Sequence, residues 1–498
     1  MCVPPGSLFI KGLIRKKACH STRTILCLAG WATFEVLPVS NARLFGVLHI
    51  VDALIHTEMK GCVSLSKFIN DFVVGIDISS EFSVVAMLEP SGSLIRKPFR
   101  IDHNPKGFNK LLEILKKEEE RLKQKPIYFV ESTGIFHLPL FFFLRSNDLK
   151  GFVLNPLSVH SIKNFDLRKV KNDAKDAESI ARLAKFQEVK YSLVPEPQIL
   201  ALRMMSREYY AMSDMLTEMK NRLCTDLYLL FPGYLDVFGN PFGKASLEIL
   251  KTYSSPRALS EVDSSELALM ISKISRKTVS WANKKVNALL EITTQALSMP
   301  MEFDILSLKI KTHVENIENF QNRLDGLIDQ LKVMIQSPDF PAKERRYIEL
   351  LEGMPGIGFL TAVTLIAEIG DFSKFHSPKA FVAFFGIDPS VNQSGKFNGD
   401  RNKISKRGTR FGRRVLFTAA LASIRTTRKG DAINPVLRDY YHQKCENKKK
   451  KVALVAVMHK LLNYIFAVLR DEKPFALRSP KDHQSWRHTK ETALKLVA

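Results

Sequence analysis

Four acids and two serines in this sequence are spaced as catalytic groups would be. Asp77 lies near the end of an otherwise apolar run, FVVGIDI at 72–78. A carboxylate inside such a run is costly unless it is paired or bound to a cation. Glu131 follows a second apolar run at 127–130, and Asp173 and Asp176 stand three apart in KNDAKDA. On a helix the last two share one face. Two such pairs can bind one or two Mg²⁺ ions, which clamp the attacking and leaving oxygens of a phosphodiester. Each acid also has a plainer reading. A strand-end aspartate caps turns, and acids in a first helical turn are favoured by the helix dipole.

Ser394 lies in NQSGK, next to Gly395 and Lys396. A serine hydroxyl is a poor nucleophile until the charge developing in the reaction is stabilised, which neighbouring cations and a metal on the phosphate would do. No Ser/His/Asp arrangement lies nearby, so triad hydrolysis is not indicated. Ser405, in ISKRG, is the competing serine. A loop serine is also an ordinary turn residue.

These groups need elements to hold them. Residues 72–78 and 82–88 read as strands, and the turn at 90–93 leads to a third at 94–100. Helical spacing runs over 105–122 through Phe108, Leu111, Leu112, Ile114 and Leu115. A strand at 127–130, a helix at 135–147, a strand at 151–154 and a helix at 172–186 complete a β-β-β-α-β-α-β-α order. That order favours a parallel extension of a hairpin-rich start. If its first and fourth strands are neighbours, Asp77 and Glu131 lie side by side.

Further along, Pro355-Gly356-Ile357-Gly358 breaks two apolar helical stretches in residues 350–371. It has the form of a helix-hairpin-helix turn, in which Gly356 and Gly358 let backbone N–H groups hold a phosphate. A tight structural connection between helices has the same form. Beyond it stand Lys396, Arg401, Lys403, Lys406, Arg407, Arg410, Arg413 and Arg414, opposed only by Asp400. A dense cationic loop leading into a helix suits a nucleic-acid backbone. A solvated basic loop is the plain alternative.

Between these regions, Leu202, Tyr209, Leu216, Leu223 and Leu230 recur every seven residues, beside Met205, Met212 and Met219. Ile310, Ile317, Leu324 and Leu331 form a second seam with Leu306, Phe320, Leu327 and Met334, and His313 is its one polar member. This is coiled-coil spacing and predicts a helical hairpin or bundle. The methionines belong to the packing, and His313 reads as a register-setting or solvent-edge residue.

The chain has 498 residues and carries 74 Lys+Arg against 51 Asp+Glu, a net charge of +23. So large a surplus points to a polyanion, most often nucleic acid. Ordinary apolar and charged content excludes a disordered, collagenous or small disulfide-built chain. No uninterrupted apolar run reaches the ~18 residues of a membrane span, and no membrane association is expected. Six cysteines show no CxxC or zinc spacing, so an intracellular, reduced chain is expected. The expected organisation is a poorly defined extension over 1–70, an α/β domain over 71–195, a helical coiled-coil region over 196–345, a basic, mainly α domain over 346–472 and a polar tail over 473–498 that frays.

The arrangement GID…VEST…KNDAKDAESIA resembles the RuvC-like, ribonuclease-H-fold domain of the DEDD transposases. These are insertion-sequence recombinases that work with a structured bridge RNA. GIDISS alone is weak, since sugar kinases and actin-like ATPases open similarly, but neither a second Gly-rich phosphate loop nor an adenosine motif follows. The segments PGIG, FFGIDPSVNQSGK, ISKRGTRFGRRVLFTAA and KKVALVAVMHKLL resemble that family's second domain. The resemblance implies an α/β ribonuclease-H-like (RuvC-like) domain, a coiled-coil middle and a mainly α domain with a helix-hairpin-helix-like segment. It further implies that Asp77, Glu131, Asp173 and Asp176 hold Mg²⁺ or Mn²⁺. Ser394 would attack DNA to give a phosphoserine-linked intermediate. Donor and target DNA and a structured guide RNA would be partners of a dimer or tetramer whose sites mix subunits. The setting would be a prokaryotic cytoplasm, close to the nucleoid. Rival readings are a RuvC-like metal-dependent nuclease or resolvase, which hydrolyses through the acids alone, and a catalytically inactive nucleic-acid-binding remnant.

Overall fold

A computed structural model gives the architecture over residues 66–131, 134–154, 172–187, 191–192, 194–298, 303–389, 393–394, 397–398 and 403–486. Most of the expected extension at 1–70 and the end of the tail lie outside these residues. The chain forms two compact units that meet in sequence at Val194 and Pro195.

The first unit is a six-stranded sheet with helices. Its elements are β1 (Val73–Ile78), β2 (Phe82–Leu88), β3 (Phe99–Asp102), α1 (Pro105–Leu122), β4 (Ile127–Glu131), α2 (His137–Ser146), β5 (Lys150–Leu154), α3 (Asp173–Phe186) and β6 (Tyr191–Ser192). The strand order is β3-β2-β1-β4-β5-β6. β1, β2 and β3 pair antiparallel, β1–β4 and β4–β5 are parallel, and β6 returns antiparallel. This mixed order is consistent with a ribonuclease-H-like architecture. The third strand starts at Phe99 rather than at 94, because Leu94 makes only one bridge, to Leu88. Pro98 has no N–H to give a ladder at that point.

Alternation along β1 sorts its side chains between the two faces of the sheet. Val74, Ile76 and Ile78 join Phe108, Leu111, Leu115, Leu140 and Leu144 in one core. Val73, with Phe129 of β4, packs against Ile180, Ala181 and Ala184 of α3 on the other face. Gly75 lies beneath α3 so closely that a Cβ there would come within 2.4 Å of both the Ala177 oxygen and the Ala181 nitrogen.

The second unit is helical. It comprises α4 (Pro197–Leu230), α5 (Tyr234–Val237), α6 (Lys244–Thr252), α7 (Pro256–Ser260), α8 (Ser264–Ser275), α9 (Val279–Leu297), α10 (Phe303–Gln336), α11 (Ala342–Glu352), α12 (Phe359–Ile369), α13 (Pro378–Phe385), the hairpin strands β7 (Gln393–Ser394) and β8 (Phe397–Asn398), α14 (Arg410–Ser423), α15 (Pro435–Asn447) and α16 (Lys450–Asp471). The heptad positions Leu202, Leu223, Leu230, Ile310, Ile317, Leu324 and Leu331 are buried. α4 and α10 run antiparallel, since Ile199 shares a core with Ile335 while Asp226 pairs with Lys309 and His313. His313 Nε2 lies 3.2 Å from the buried Asp226 carboxylate.

Two cores share these long helices. The ends formed by Leu223–Leu230 and Ile310–Ile317 pack with the α5–α9 region. The opposite ends join the core of α11–α16. Arg207 of α4 grips the buried Glu368 of α12 through two N–H···O bonds of 2.7 and 2.9 Å, and Arg203 donates to the Ala367 carbonyl at 2.7 Å. The coiled-coil region and the last domain therefore form one body here. α16 is long and apolar enough to cross a membrane by composition, although no unbroken apolar run was expected to be. Here it is a core helix, burying Leu454, Val457, Leu461, Leu462, Ile465 and Leu469. In the tail, residues 480–486 are helical, and His483 stacks on Trp486 and approaches Tyr464 of α16.

Candidate functional site

The acid group is built at one end of the sheet. Parallel pairing matches Gly75 with Phe129 and Ile76 with Val130. The next step of that register sets Asp77 opposite Glu131. Both continue the alternation of Gly75 and Phe129, so both lie on the α3 side of the sheet. Asp77 is half-buried and Glu131 is buried. α3 begins where this face ends. Asn172 caps it by accepting from Ala174 N at 3.0 Å, and Asp173 and Asp176 occupy its first turn, where the dipole favours acids. That turn lies over the same end of the sheet: Val84, the β2 partner of Asp77, packs with Ala177 and Ala174.

These carboxylates are hard oxygen donors of the kind that hold Mg²⁺ or Mn²⁺. Among the described residues, however, no three Asp, Glu, His or Cys side chains converge closely enough to hold a metal ion. The fit is therefore one of donor type and of position along the sheet, with α3 beginning at the end where Asp77 and Glu131 lie. Asp173 is exposed and Asp176 half-buried.

The serine region belongs to the second unit. β7 and β8 form a short hairpin in which Ser394 pairs with Phe397. Ser405 stands elsewhere in the loop region, where its Oγ donates to Asp388 Oδ1 at 2.6 Å and its N–H to the Asp388 carbonyl at 2.8 Å.

The cations divide into groups. Lys396 and Arg401 lie outside the described residues. Lys403, Lys406, Arg407 and Arg410 are exposed. Arg413 is instead half-buried, and its Nη1 donates to the carbonyls of Gly408 at 2.7 Å and Phe385 at 3.2 Å. Burial lowers its pKa. Arg414 pairs with Asp214 of α4 at 2.7 Å and lies over the Tyr210 ring. The last two charges are thus engaged within the protein. The contacts with Phe385 and Asp214 have no signal in the sequence, because those partners lie 28 and 200 residues away along the chain.

The expected helix-hairpin-helix turn joins α11 to α12. Gly356 has φ +96°, and a Cβ there would meet Ser423 Oγ at 2.2 Å, so this glycine serves close packing against α14. Gly358 is exposed at the start of α12, with no side chain capping the helix and open space around it. Of the two glycines, Gly358 has the backbone geometry suited to an anion.

Two family models match the chain. One, described as a transposase of the DEDD type, covers residues 74–232, and the other, described as the transposase IS116/IS110/IS902 family, covers residues 348–442. Among curated relatives, the "Insertion element IS900 uncharacterized 42 kDa protein" of Mycobacterium paratuberculosis is 29% identical over 46% of this chain and 53% of its own length. The "Pilin gene-inverting protein" of Moraxella bovis is 30% identical over 35% of this chain and 52% of its own length. The "Insertion element IS116 uncharacterized 44.8 kDa protein" of Streptomyces clavuligerus is 23% identical over 62% of this chain and 74% of its own length. The match spans about half the length of the first two relatives. One model covers the acid-bearing sheet and all of α4, the other the Gly- and Arg-rich domain, and the chain belongs to the IS110 family of insertion-sequence transposases.

Proposed function

We propose that this protein is a DNA recombinase of an insertion sequence, cutting and rejoining strands through Ser394 with the help of the carboxylates Asp77, Glu131, Asp173 and Asp176. The observation that carries this is the parallel β1–β4 register, which continued by one residue sets Asp77 opposite Glu131, with the α3 acids at the same end of the sheet. The relatives' names support it, since they include a transposase and a pilin gene-inverting protein.

In this reading Ser394 Oγ bonds to a scissile phosphorus while one P–O ester bond breaks. A phosphoserine-linked strand and a free hydroxyl end result. A hydroxyl of another strand then displaces the serine, so no external energy source is needed. The four carboxylates would hold Mg²⁺, or Mn²⁺ in its place, which when bound neutralises charge on the phosphate oxygens. Lys403, Lys406, Arg407 and Arg410 hold the DNA backbone. Donor and target DNA are the substrates, a structured guide RNA selects them by base pairing, and a homo-oligomer brings several strands together.

The test is a denaturing gel of protein incubated with labelled DNA and Mg²⁺, with and without RNA that copurifies. A protein–DNA adduct that vanishes in Ser394→Ala and in Asp77→Asn supports the reading. Free ends without adduct would instead identify a hydrolytic nuclease, and binding without strand breakage an inactive remnant.

A further inference from the structure

The strands β7 and β8, which carry Ser394, lie in sequence between two described stretches, ending at Pro389 and resuming at Lys403, that are tied together. Pro389 and Ile404 form an antiparallel bridge. One residue beyond each, Asp388 and Ser405 join twice, by Ser405 N–H to the Asp388 carbonyl at 2.8 Å and by Ser405 Oγ to Asp388 Oδ1 at 2.6 Å. The next residues continue the tie, with Lys406 N donating to the Gly386 carbonyl at 3.0 Å. Lys406 and Gly386 both take left-handed backbone, φ +55° and +65°. Gly408 passes so close to the end of α13 that a Cβ there would lie 1.9 Å from the Phe384 oxygen. Arg413 then bonds the carbonyls of both Phe385 and Gly408.

We infer that Asp388 and Ser405 form a clasp at the base of the Ser394 loop, and that Ser405 is a positioning residue for Ser394 rather than the nucleophile. This rests on the recombinase reading and distinguishes the two serines that the sequence left in competition. Two observations carry it. Ser405 is half-buried, with its N–H and hydroxyl both committed to Asp388, so attack through its oxygen would dismantle the contact that anchors it. Ser394 lies on the hairpin that the clasp closes. A serine–carboxylate pair can also be a nucleophile with its base, so the two roles must be separated by experiment. A misplacement of about 1 Å can cost on the order of 10²-fold in rate, so a loosened loop base would be visible in the chemical step.

The experiment compares full-length wild type with Ser405→Ala, Ser405→Thr, Asp388→Asn and Ser394→Ala. It uses a labelled DNA duplex, Mg²⁺ and the copurified RNA, with thermal unfolding to verify folding. If the clasp positions Ser394, Ser405→Ala slows adduct formation about 10- to 100-fold while DNA affinity stays within about 2-fold. Ser405→Thr, which keeps the hydroxyl, returns to within about 3-fold of wild type, and so does Asp388→Asn, whose amide oxygen still accepts from Ser405, whereas loss of the adduct in Asp388→Asn would mark Asp388 as a base. Hydrogen exchange of the amides of Ser405 and Lys406 quickens in Ser405→Ala. An adduct that persists in Ser394→Ala and is lost in both Ser405 variants overturns the assignment. So does a Ser405→Ala protein with unchanged rate and exchange. If wild type forms no adduct at all, the recombinase reading fails, and the exchange rates alone decide whether the clasp exists.

Discussion

Gly75 of β1 and Ala181 of α3 touch backbone to backbone: a Cβ on Gly75 would lie 2.4 Å from the Ala181 nitrogen and 2.8 Å from its Cβ. This contact sets how low α3 sits on the sheet, and so how close Asp173 and Asp176 come to Asp77. Gly75→Ala is expected to cost about 2–3 kcal/mol in denaturant unfolding, as overpacking against rigid main chain does. It should also depress Mg²⁺-dependent strand cleavage beyond what the lost stability explains. A variant of unchanged stability would show that α3 shifts freely on the sheet.

The two glycines of the α11–α12 turn should behave oppositely. Gly356→Ala combines a left-handed φ with a clash against Ser423 and is expected to destabilise by about 2–3 kcal/mol. Gly358→Ala meets open space and should stay within about 1 kcal/mol of wild type. Equal losses in a urea titration would contradict the packing described for Gly356.

Lys374 donates to the Ile369 carbonyl at 2.7 Å and lies against the Phe375 and Phe384 rings. Although much of the side chain is exposed, desolvation of its ammonium, with Arg203 nearby, pushes its pKa down to about 8. Because the folded value is below the unfolded one, the unfolded chain binds more protons between about pH 8 and the ordinary lysine value. Stability from this group therefore rises with pH across that window. Compared with Lys374→Met at each pH, wild type should gain relative stability from pH 8 to 10. A difference that is flat or falls with pH would refute an ammonium desolvated between the Ile369 carbonyl and the Phe375 and Phe384 rings.

Charge placement separates two kinds of arginine. Arg413→Ala should lower stability by about 1–3 kcal/mol, since it leaves the Phe385 and Gly408 carbonyls without their donor. Lys406→Gln and Arg407→Gln should leave stability within about 0.5 kcal/mol. Each should weaken DNA binding evenly across sequences and reduce the salt slope of log K by about 0.9 per lost phosphate contact. An unchanged slope in the double variant would remove these residues from the DNA interface.

The sequence was most legible where a local pattern decides the structure. α1 begins and ends at the residues its spacing predicts, and along α4 and α10 Leu202, Leu223, Leu230, Ile310, Ile317, Leu324 and Leu331 are buried while the other heptad positions are half-buried. β3 is displaced because Pro98 interrupts a run that otherwise looks continuous. β6 has only two residues and no pattern to find. The candidate acids could be picked out by residue type and by their positions in predicted elements, and Asp77, Glu131 and the start of α3 fall at one end of the sheet. Interactions between distant segments were not legible. Nothing near Asp226 announces Lys309, nothing near Asp388 announces Ser405, and Arg413 looks like its exposed neighbours until its carbonyl partners are seen.

The parallel pairing of β1 with β4 also bears on how this chain can vary in length. Everything between the two strands, including β2, β3 and α1, can lengthen or shorten at its loops without disturbing which residue faces Asp77. A single residue inserted within β4 ahead of Glu131 has the opposite effect. With a side-chain period of two, it would rotate that carboxylate through the sheet into the apolar layer of Leu111 and Leu140. Working members of the family should therefore show insertions and deletions crowded into the loops, with β1 and β4 keeping a fixed count.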